Sequence, residues 1–302
     1  MNLNTIVKNL MINNFSLEKP NHILVIGDHS TAELAKLFEL ALTDDGWKSD
    51  LYLMEDRTKD GEEPPAEVAQ KMLNYEVVFC LTKYSLTHTL ARRNANEIGT
   101  SVITMPGITE DMFINGAMRA DYSRVEKETL EQADKLTTFA NVKIQTGEMY
   151  ELSIPIGTRK GIPSSGVFRE KAASGNLPSG EAFIAPLEGE ANGEILITGS
   201  IAGIGLVNEP VLITIENGRL INATGEQGKH LLEILGEGNG RMLAELGIGT
   251  NYEARIIGRI LEDEKAYNTI HVAFGSNHTF GGTIQADVHI DCVTKNPKII
   301  WS

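Results

Sequence analysis

Three of the chain's seven histidines fall between positions 271 and 289, in the stretch that runs from Glu264 to Asp291. His289 and Asp291 are separated by one residue, and in a strand positions i and i+2 project to the same face. An imidazole and a carboxylate would then stand side by side. His271 lies in another strand-like run, Thr269 to Phe274. Imidazole with carboxylate suits zinc, iron, cobalt or manganese. The same residues read equally well as partly exposed histidines on a polar sheet face, since His-x-Asp is a common tripeptide.

Two further carboxylates have settings that suit chemistry. Glu181 follows Asn176-Leu177-Pro178-Ser179-Gly180, a loop stiffened by Pro, and leads a short apolar strand; a carboxylate held there is a good metal ligand or general base. It also reads as a solvent-facing Glu after a turn. Glu245, in Leu243-Ala244-Glu245-Leu246-Gly247-Ile248, has apolar neighbours on both sides. An unpaired charge there is expensive, so burial would need a metal or a cationic partner.

The elements that must position these residues lie in the second of two textures. Up to about residue 139, short apolar runs alternate with helical periodicity. Residues 1–15 have helical spacing at Ile6, Leu10 and Met11. His22–Asp28 reads as a strand buried on both faces, followed by a helix capped by Ser30 or Thr31. Further strands are expected at Asp50–Met54, Glu76–Thr82 and Thr100–Met105. Helices are expected from Ala66, over Leu86–Ile98 with Ser85 as its cap, over Glu110–Met118 and over Tyr122–Thr137. This predicts a parallel α/β sheet domain of flavodoxin or Rossmann type over residues 1–139. The end of its first strand, Gly27-Asp28-His29-Ser30, is not a Gly-x-Gly-x-x-Gly loop, and no phosphate-binding Gly-Lys-Ser/Thr loop occurs, so no nucleotide cofactor is expected. His88, just past the third strand, is read as a solvated side chain beside the capped helix.

Residues 140–302 lose the helical period and gain glycine. Strands are expected at 142–146, 150–155, 194–198, 210–216, 219–224, 252–260, 268–274 and 285–293, with a hairpin at Asn217-Gly218. Helices are expected at 225–235 and 240–246. The second domain is therefore read as mostly antiparallel β and metal-binding.

Length and composition bound the function. At 302 residues, 41% hydrophobic and 23% charged, the chain has room for two globular domains. A formal net charge of −14 disfavours a nucleic-acid or anionic-membrane partner. No apolar run is long enough to span a bilayer, and Met1 to Pro20 lacks the cleavage pattern of a signal peptide. Cys80 and Cys292 sit in apolar runs and read as buried thiols of a reducing compartment, so a cytoplasmic location is expected.

Four motifs in order, Asn176–Glu181, Ala244–Asn251, Glu264–Gly275 and His289–Asp291, resemble the thermophilic metallo-aminopeptidase family of aminopeptidase T, aminopeptidase S and PepS. In the first domain, 85–89 (Ser-Leu-Thr-His-Thr) and 105–110 (Met-Pro-Gly-Ile-Thr-Glu) fit as well. The resemblance implies metal ligands at Glu181, Glu245, His271, His289 and Asp291, holding two zinc, cobalt or manganese ions with a shared carboxylate and a bridging water. It implies removal of the N-terminal residue of a peptide, and a homodimer. Where the family has a tyrosine near the metals, this chain has His278, whose imidazole can still donate a hydrogen bond to an oxyanion. The chain is also shorter than the family peptidases. A related branch, similar to 2,5-dihydroxypyridine ring-cleaving dioxygenases, shares the architecture. It implies one ferrous ion on His271, His289 and Asp291, with His88 as an acid/base beside it. A metal serving structure alone is the third reading.

Overall fold

A computed structural model of the chain describes residues 2–17, 19 and 21–302. Of the N-terminal stretch read above, Met1, Glu18 and Pro20 lie outside the described residues. The chain begins with alternating elements: α1 (Leu3–Asn14), β1 (His22–Asp28), α2 (Ala32–Asp44), β2 (Lys48–Met54), α3 (Ala66–Met72), β3 (Val77–Leu81), α4 (Leu90–Glu97), β4 (Ser101–Thr104), α5 (Glu110–Ile114) and α6 (Tyr122–Thr138). Strands then dominate, as β5 (Asn141–Thr146), β6 (Tyr150–Pro155), β7 (Ile162–Ser164), β8 (Ser174–Asn176) and β9 (Glu181–Ile184). After them come β10 (Asn192–Ile197), β11 (Ser200–Ile201), β12 (Gly205–Leu206), β13 (Val211–Glu216), β14 (Arg219–Ala223) and α7 (Gly225–Leu235). The last run is β15 (Leu243–Gly249), α8 (Ile260–Asp263), β16 (Thr269–Gly275), β17 (His289–Lys295) and β18 (Lys298–Trp301). No helix among the described residues is long and apolar enough to cross a membrane.

Two compact units result. The first comprises Met1–Glu126 and Gly166–Ser179, the second Lys127–Ser165 and Gly180–Ser302. In the first, a five-stranded sheet runs in the order β2-β1-β3-β4-β8, and every pairing is parallel. β1 and β3 are apolar because both faces are covered. Leu24, Ile26, Val78 and Cys80 pack with Val68 and Met72 of α3 and Ala91 and Ala95 of α4. On the opposite face Phe79 meets Phe38 of α2 at a ring separation of 5.0 Å and Phe15 at 5.6 Å.

The second unit holds a six-stranded sheet, β14-β13-β10-β6-β5-β18, and a seven-stranded one, β12-β11-β17-β16-β15-β9-β7. One apolar core joins them: Ile144, Leu152, Ile154, Ile195 and Ile213 from the first, Leu246, Ile248, Ile270, Val272, Phe274 and Cys292 from the second. Because side chains alternate across a strand, these core residues force Glu245, His271 and Asp291 onto the other face of the seven-stranded sheet.

Several sequence expectations are corrected. Residues 240–246 are no helix: Asn239–Arg241 makes one 3-10 turn and Leu243 opens β15. Leu246 and Ile248 alternate with Gly247 and Gly249, a period of two that the apolar stretch before it obscured. Residues 252–260 form turns leading into α8 and no strand. The cap of α4 is Thr89, whose side chain accepts from the Arg92 N–H, so the helix starts later than expected. Ser85 instead bonds Thr87 at 2.9 Å.

Candidate metal centre

Four adjacent strands bring the candidate ligands onto one face. Gly249 stands opposite Glu181 and Gly247 opposite Phe183. On the other side of β15, Gly247 stands opposite His271 and Glu245 opposite Ala273. Ala273 in turn pairs with Asp291, and Gly275 with His289. Residues directly opposite in an antiparallel pair share a face. Small residues alternate with the functional ones, and one of them is essential. A Cβ on Gly247 would lie 2.1 Å from Cε1 and Nε2 of His271, so only glycine leaves room for that ring. Gly247→Ala is therefore expected to displace His271 and weaken divalent-cation binding at least tenfold, as when the support of a ligand is lost. Calorimetric titration with cobalt or zinc checks this; wild-type affinity would refute it.

The distances are informative. His271 Nε2 lies 3.3 Å from Glu245 Oε1 and 3.5 Å from Glu181 Oε2. His289 Nε2 lies 3.3 Å from Glu245 Oε2 and 3.6 Å from Asp291 Oδ1. Two ligand atoms each about 2.1 Å from a tetrahedral ion stand about 3.4 Å apart. Charge-assisted hydrogen bonds would be nearer 2.8 Å. The contacts are long hydrogen bonds in the metal-free protein, and their spacing also matches that of donors around a cation. Ligand atoms fall into three overlapping triads: Glu181, Glu245 and His271; Glu245, His289 and Asp291; Glu264, His271 and Asp291. The donor set, hard carboxylate oxygens with borderline imidazole nitrogens, fits a divalent first-row ion.

Supporting groups orient the donors. His289 Nδ1 is 2.8 Å from the Ser276 carbonyl, which can only accept, so the proton sits on Nδ1 and Nε2 faces the carboxylates. Glu181 is held at its other oxygen by Lys265, whose Nζ is 2.6 Å from Oε1. The same ammonium bonds Glu264 and is completely buried. Glu264 and Lys265 are placed by the turn at α8. There Glu262 takes Arg255 at 3.0 Å, and Asp263 accepts from the Ile257 and Gly258 N–H groups at 2.7 and 2.9 Å.

Electrostatics follow from crowding. Burial pushes Glu245 up, but hydrogen bonds with His271 and His289 outweigh it and bring it to about 2. Burial would lower His271, yet its bond to Glu245 and the charges of Glu181 and Asp291 push it up to about 9. His289 is likewise held well above its ordinary value, against burial, by Asp291 and Glu245. Burial drives Glu264 up to about 8; Lys265 opposes this, while Glu181 and Asp291 add to it.

These shifts set a pH dependence for the metal-free protein. Glu264 contributes stability that is complete below 4.5 and gone above about 8. His271 contributes stability complete below 6.5 and lost as pH rises through about 9. Glu245 contributes stability present above 4.5 and lost as pH falls through about 2. The melting temperature in chelator is therefore expected to be highest near pH 4.5, to decline above it as the Glu264 contribution is lost, and to fall more steeply from about pH 6.5 toward 9 as the His271 contribution goes too. Saturating divalent cation, which requires deprotonated imidazoles, should shift the optimum upward. Thermal scans across this range test both; stability in chelator that climbs toward pH 9 would contradict them.

All five ligand candidates from the sequence, Glu181, Glu245, His271, His289 and Asp291, come together. His278 is exposed on the loop between β16 and β17, with Nδ1 2.8 Å from Ser276 Oγ, and belongs to none of the triads. His88 is exposed in the first unit, in the loop before α4. Glu264 and Lys265 were missed as site residues. The only signal was the Glu-Lys that opens the third motif, because a run of charges reads as a solvated surface.

No curated protein matches the chain. Among solved structures, its backbone is similar to 2,5-dihydroxypyridine dioxygenase from Pseudomonas putida KT2440. The TM-score is 0.82 at 14% identity, over 99% of this chain and 93% of the other. It is also similar to wild-type AmpT from Thermus thermophilus, with TM-score 0.67 at 15% identity, over 96% and 91% of the two chains. At such identities the likeness is one of fold. The sequence profile described as thermophilic metalloprotease (M29) matches residues 62–291, a span that takes in all three triads and ends on Asp291. With most of its length inside that match, the chain belongs to the thermophilic metalloprotease (M29) family.

Proposed function

We propose that the protein is a metal-dependent aminopeptidase that removes N-terminal residues from peptides, with two divalent ions sharing Glu245. The observation that carries this is the split of that carboxylate: Oε1 faces His271 and Oε2 faces His289, each at 3.3 Å. One triad then comprises Glu181, Glu245 and His271, the other Glu245, His289 and Asp291. Two ions bound there would supply Lewis acidity to the scissile carbonyl, a site for the free α-amino group and an activated water. The chain's own residues do the rest. Ser276 fixes the tautomer of His289. Lys265 holds one oxygen of Glu181 and leaves the other to face His271. Beneath the face, Leu246, Ile248, Val272 and Phe274 belong to the sealed core and keep water from reaching the ligands from that side.

A second reading, a mononuclear iron ring-cleaving dioxygenase of the 2,5-dihydroxypyridine type, is prompted by the backbone likeness to such an enzyme. It asks His271, His289 and Asp291 to converge on one iron. Among the described residues each triad contains a glutamate, and none unites the two histidines with Asp291. Metal analysis of protein purified without added metal, with aminoacyl-arylamide hydrolysis measured beside it, decides between the readings. Two zinc, cobalt or manganese ions per chain with arylamidase activity are expected. One iron per chain and no arylamidase activity would overturn the peptidase reading.

A further inference from the structure

The first unit holds a cavity of about 350 Å³ between α1 and residues 118–122, the segment that opens α6. That volume lies in the range of small-molecule sites, roughly 300–1,000 Å³. The spacing of α1 builds its apolar wall. Ile6 and Leu10 stand four residues apart on one helix face, and Met118 and Tyr122 supply the rest of the apolar lining. All four are buried.

Asn14, the last residue of α1, also lines the cavity and is completely buried. Its Nδ2 donates to the Gly166 carbonyl at 2.7 Å. A carbonyl can only accept, so the orientation of the amide is fixed and Oδ1 is the spare atom. That oxygen has no donor among the described residues. A buried acceptor without a donor is costly and calls for a partner. Two charges border the same cavity. Asp121 caps α6 with Oδ1, which takes the Ser123 N–H at 3.0 Å and the Ser123 hydroxyl at 2.6 Å; its Oδ2 has no hydrogen bond among the described residues. Arg119 is exposed and pairs with no carboxylate among the described residues, Asp121 included. The lining thus combines a guanidinium, two spare acceptors and an aliphatic wall.

We propose that this cavity is a binding site for a free aliphatic α-amino acid. An ammonium brings three N–H donors, and Asn14 Oδ1 and Asp121 Oδ2 are acceptors that lack one. A carboxylate matches the Arg119 guanidinium. An aliphatic side chain gains by leaving water against Ile6, Leu10 and Met118. A water molecule would satisfy Asn14 alone and would use neither the charges nor the apolar wall. The proposal does not depend on the aminopeptidase reading, since no residue of the cavity belongs to the ligand triads.

Calorimetric titration of the full chain with L-leucine, in chelator and again with cobalt bound, tests this. Two truncated probes accompany it: 4-methylpentanoate, which lacks the ammonium, and 3-methylbutylamine, which lacks the carboxylate. Wild type is expected to bind one L-leucine per chain in chelator and to keep that site when cobalt is present. Each truncated probe should bind about tenfold more weakly or worse. Arg119→Met, at an exposed position, should weaken L-leucine by about tenfold or more and leave 3-methylbutylamine unchanged. Ala120→Phe, which puts a ring into the lining, should abolish binding of both. Wild type that binds no L-leucine in chelator would overturn the proposal, and so would binding that Arg119→Met leaves intact.

Discussion

On the proposed dinuclear aminopeptidase reading, Glu245→Gln is expected to lower arylamide turnover by roughly a hundredfold or more and to release about one of the two metal ions that reading assigns to each chain. The amide keeps the shape of the side chain and can still bond one imidazole. It removes the negative charge and one of the two equivalent oxygens, and Glu245 uses both, one toward His271 and one toward His289. Among the described residues no other carboxylate belongs to both of these triads: Glu181 belongs only to the one with His271, and Asp291 to the one with His289 and to a third with Glu264 and His271. Loss of metal and loss of rate should therefore go together. Metal content and arylamidase rate of the two proteins side by side provide the measurement. Under the iron reading, occupancy would stay near one and would not respond to the change.

Lys265→Met is expected to have the second largest effect, on stability. The substitution is close in volume but leaves Glu181 and Glu264 without their buried ammonium. Removing one partner of a buried pair typically costs about 3–5 kcal/mol, because the remaining charge has neither water nor counter-ion. The loss should be largest in chelator and smaller in saturating divalent cation, since cations at the same carboxylates take over part of the compensation. Denaturant unfolding of both proteins with and without cobalt measures the difference. A variant as stable as wild type in chelator would show that the Glu181–Lys265 contact contributes little.

Much of the scaffold was legible because burial on both faces leaves a plain trace. β1 and β3 read as unbroken apolar runs and fold as central parallel strands. His289 and Asp291 were legible as a pair because the strand period is two, and β17 places them on one face. Glu245 was singled out for its apolar flanks, yet its element was misread. Leu243-Ala244 imitates the start of a helix, and the bulge between Leu243 and Glu245 breaks the alternation that would have revealed β15. Glu264 and Lys265 could not be found by hydropathy at all. Glu262, Asp263 and Lys265 are completely buried, and only the fold supplies the partners that make such burial tolerable. β8 was invisible for the opposite reason, since Ser174-Gly175-Asn176 carries no apolar side chain and joins the parallel sheet through its backbone.

That late strand also has a consequence for how the chain is made. Thr104 of β4 meets its hydrogen-bond partner Asn176 across a separation of 72 residues. At roughly 5–20 residues per second, synthesis of the intervening segment takes about 4–15 s. Through that interval β4, whose four residues are all buried in the finished protein, has a bare edge on the emerging chain. Meanwhile α6, β5 and β6, of which the second unit will need most, have already left the ribosome. The first unit therefore cannot close before the second has begun, and the two must share the nascent chain's period of greatest exposure to mispairing.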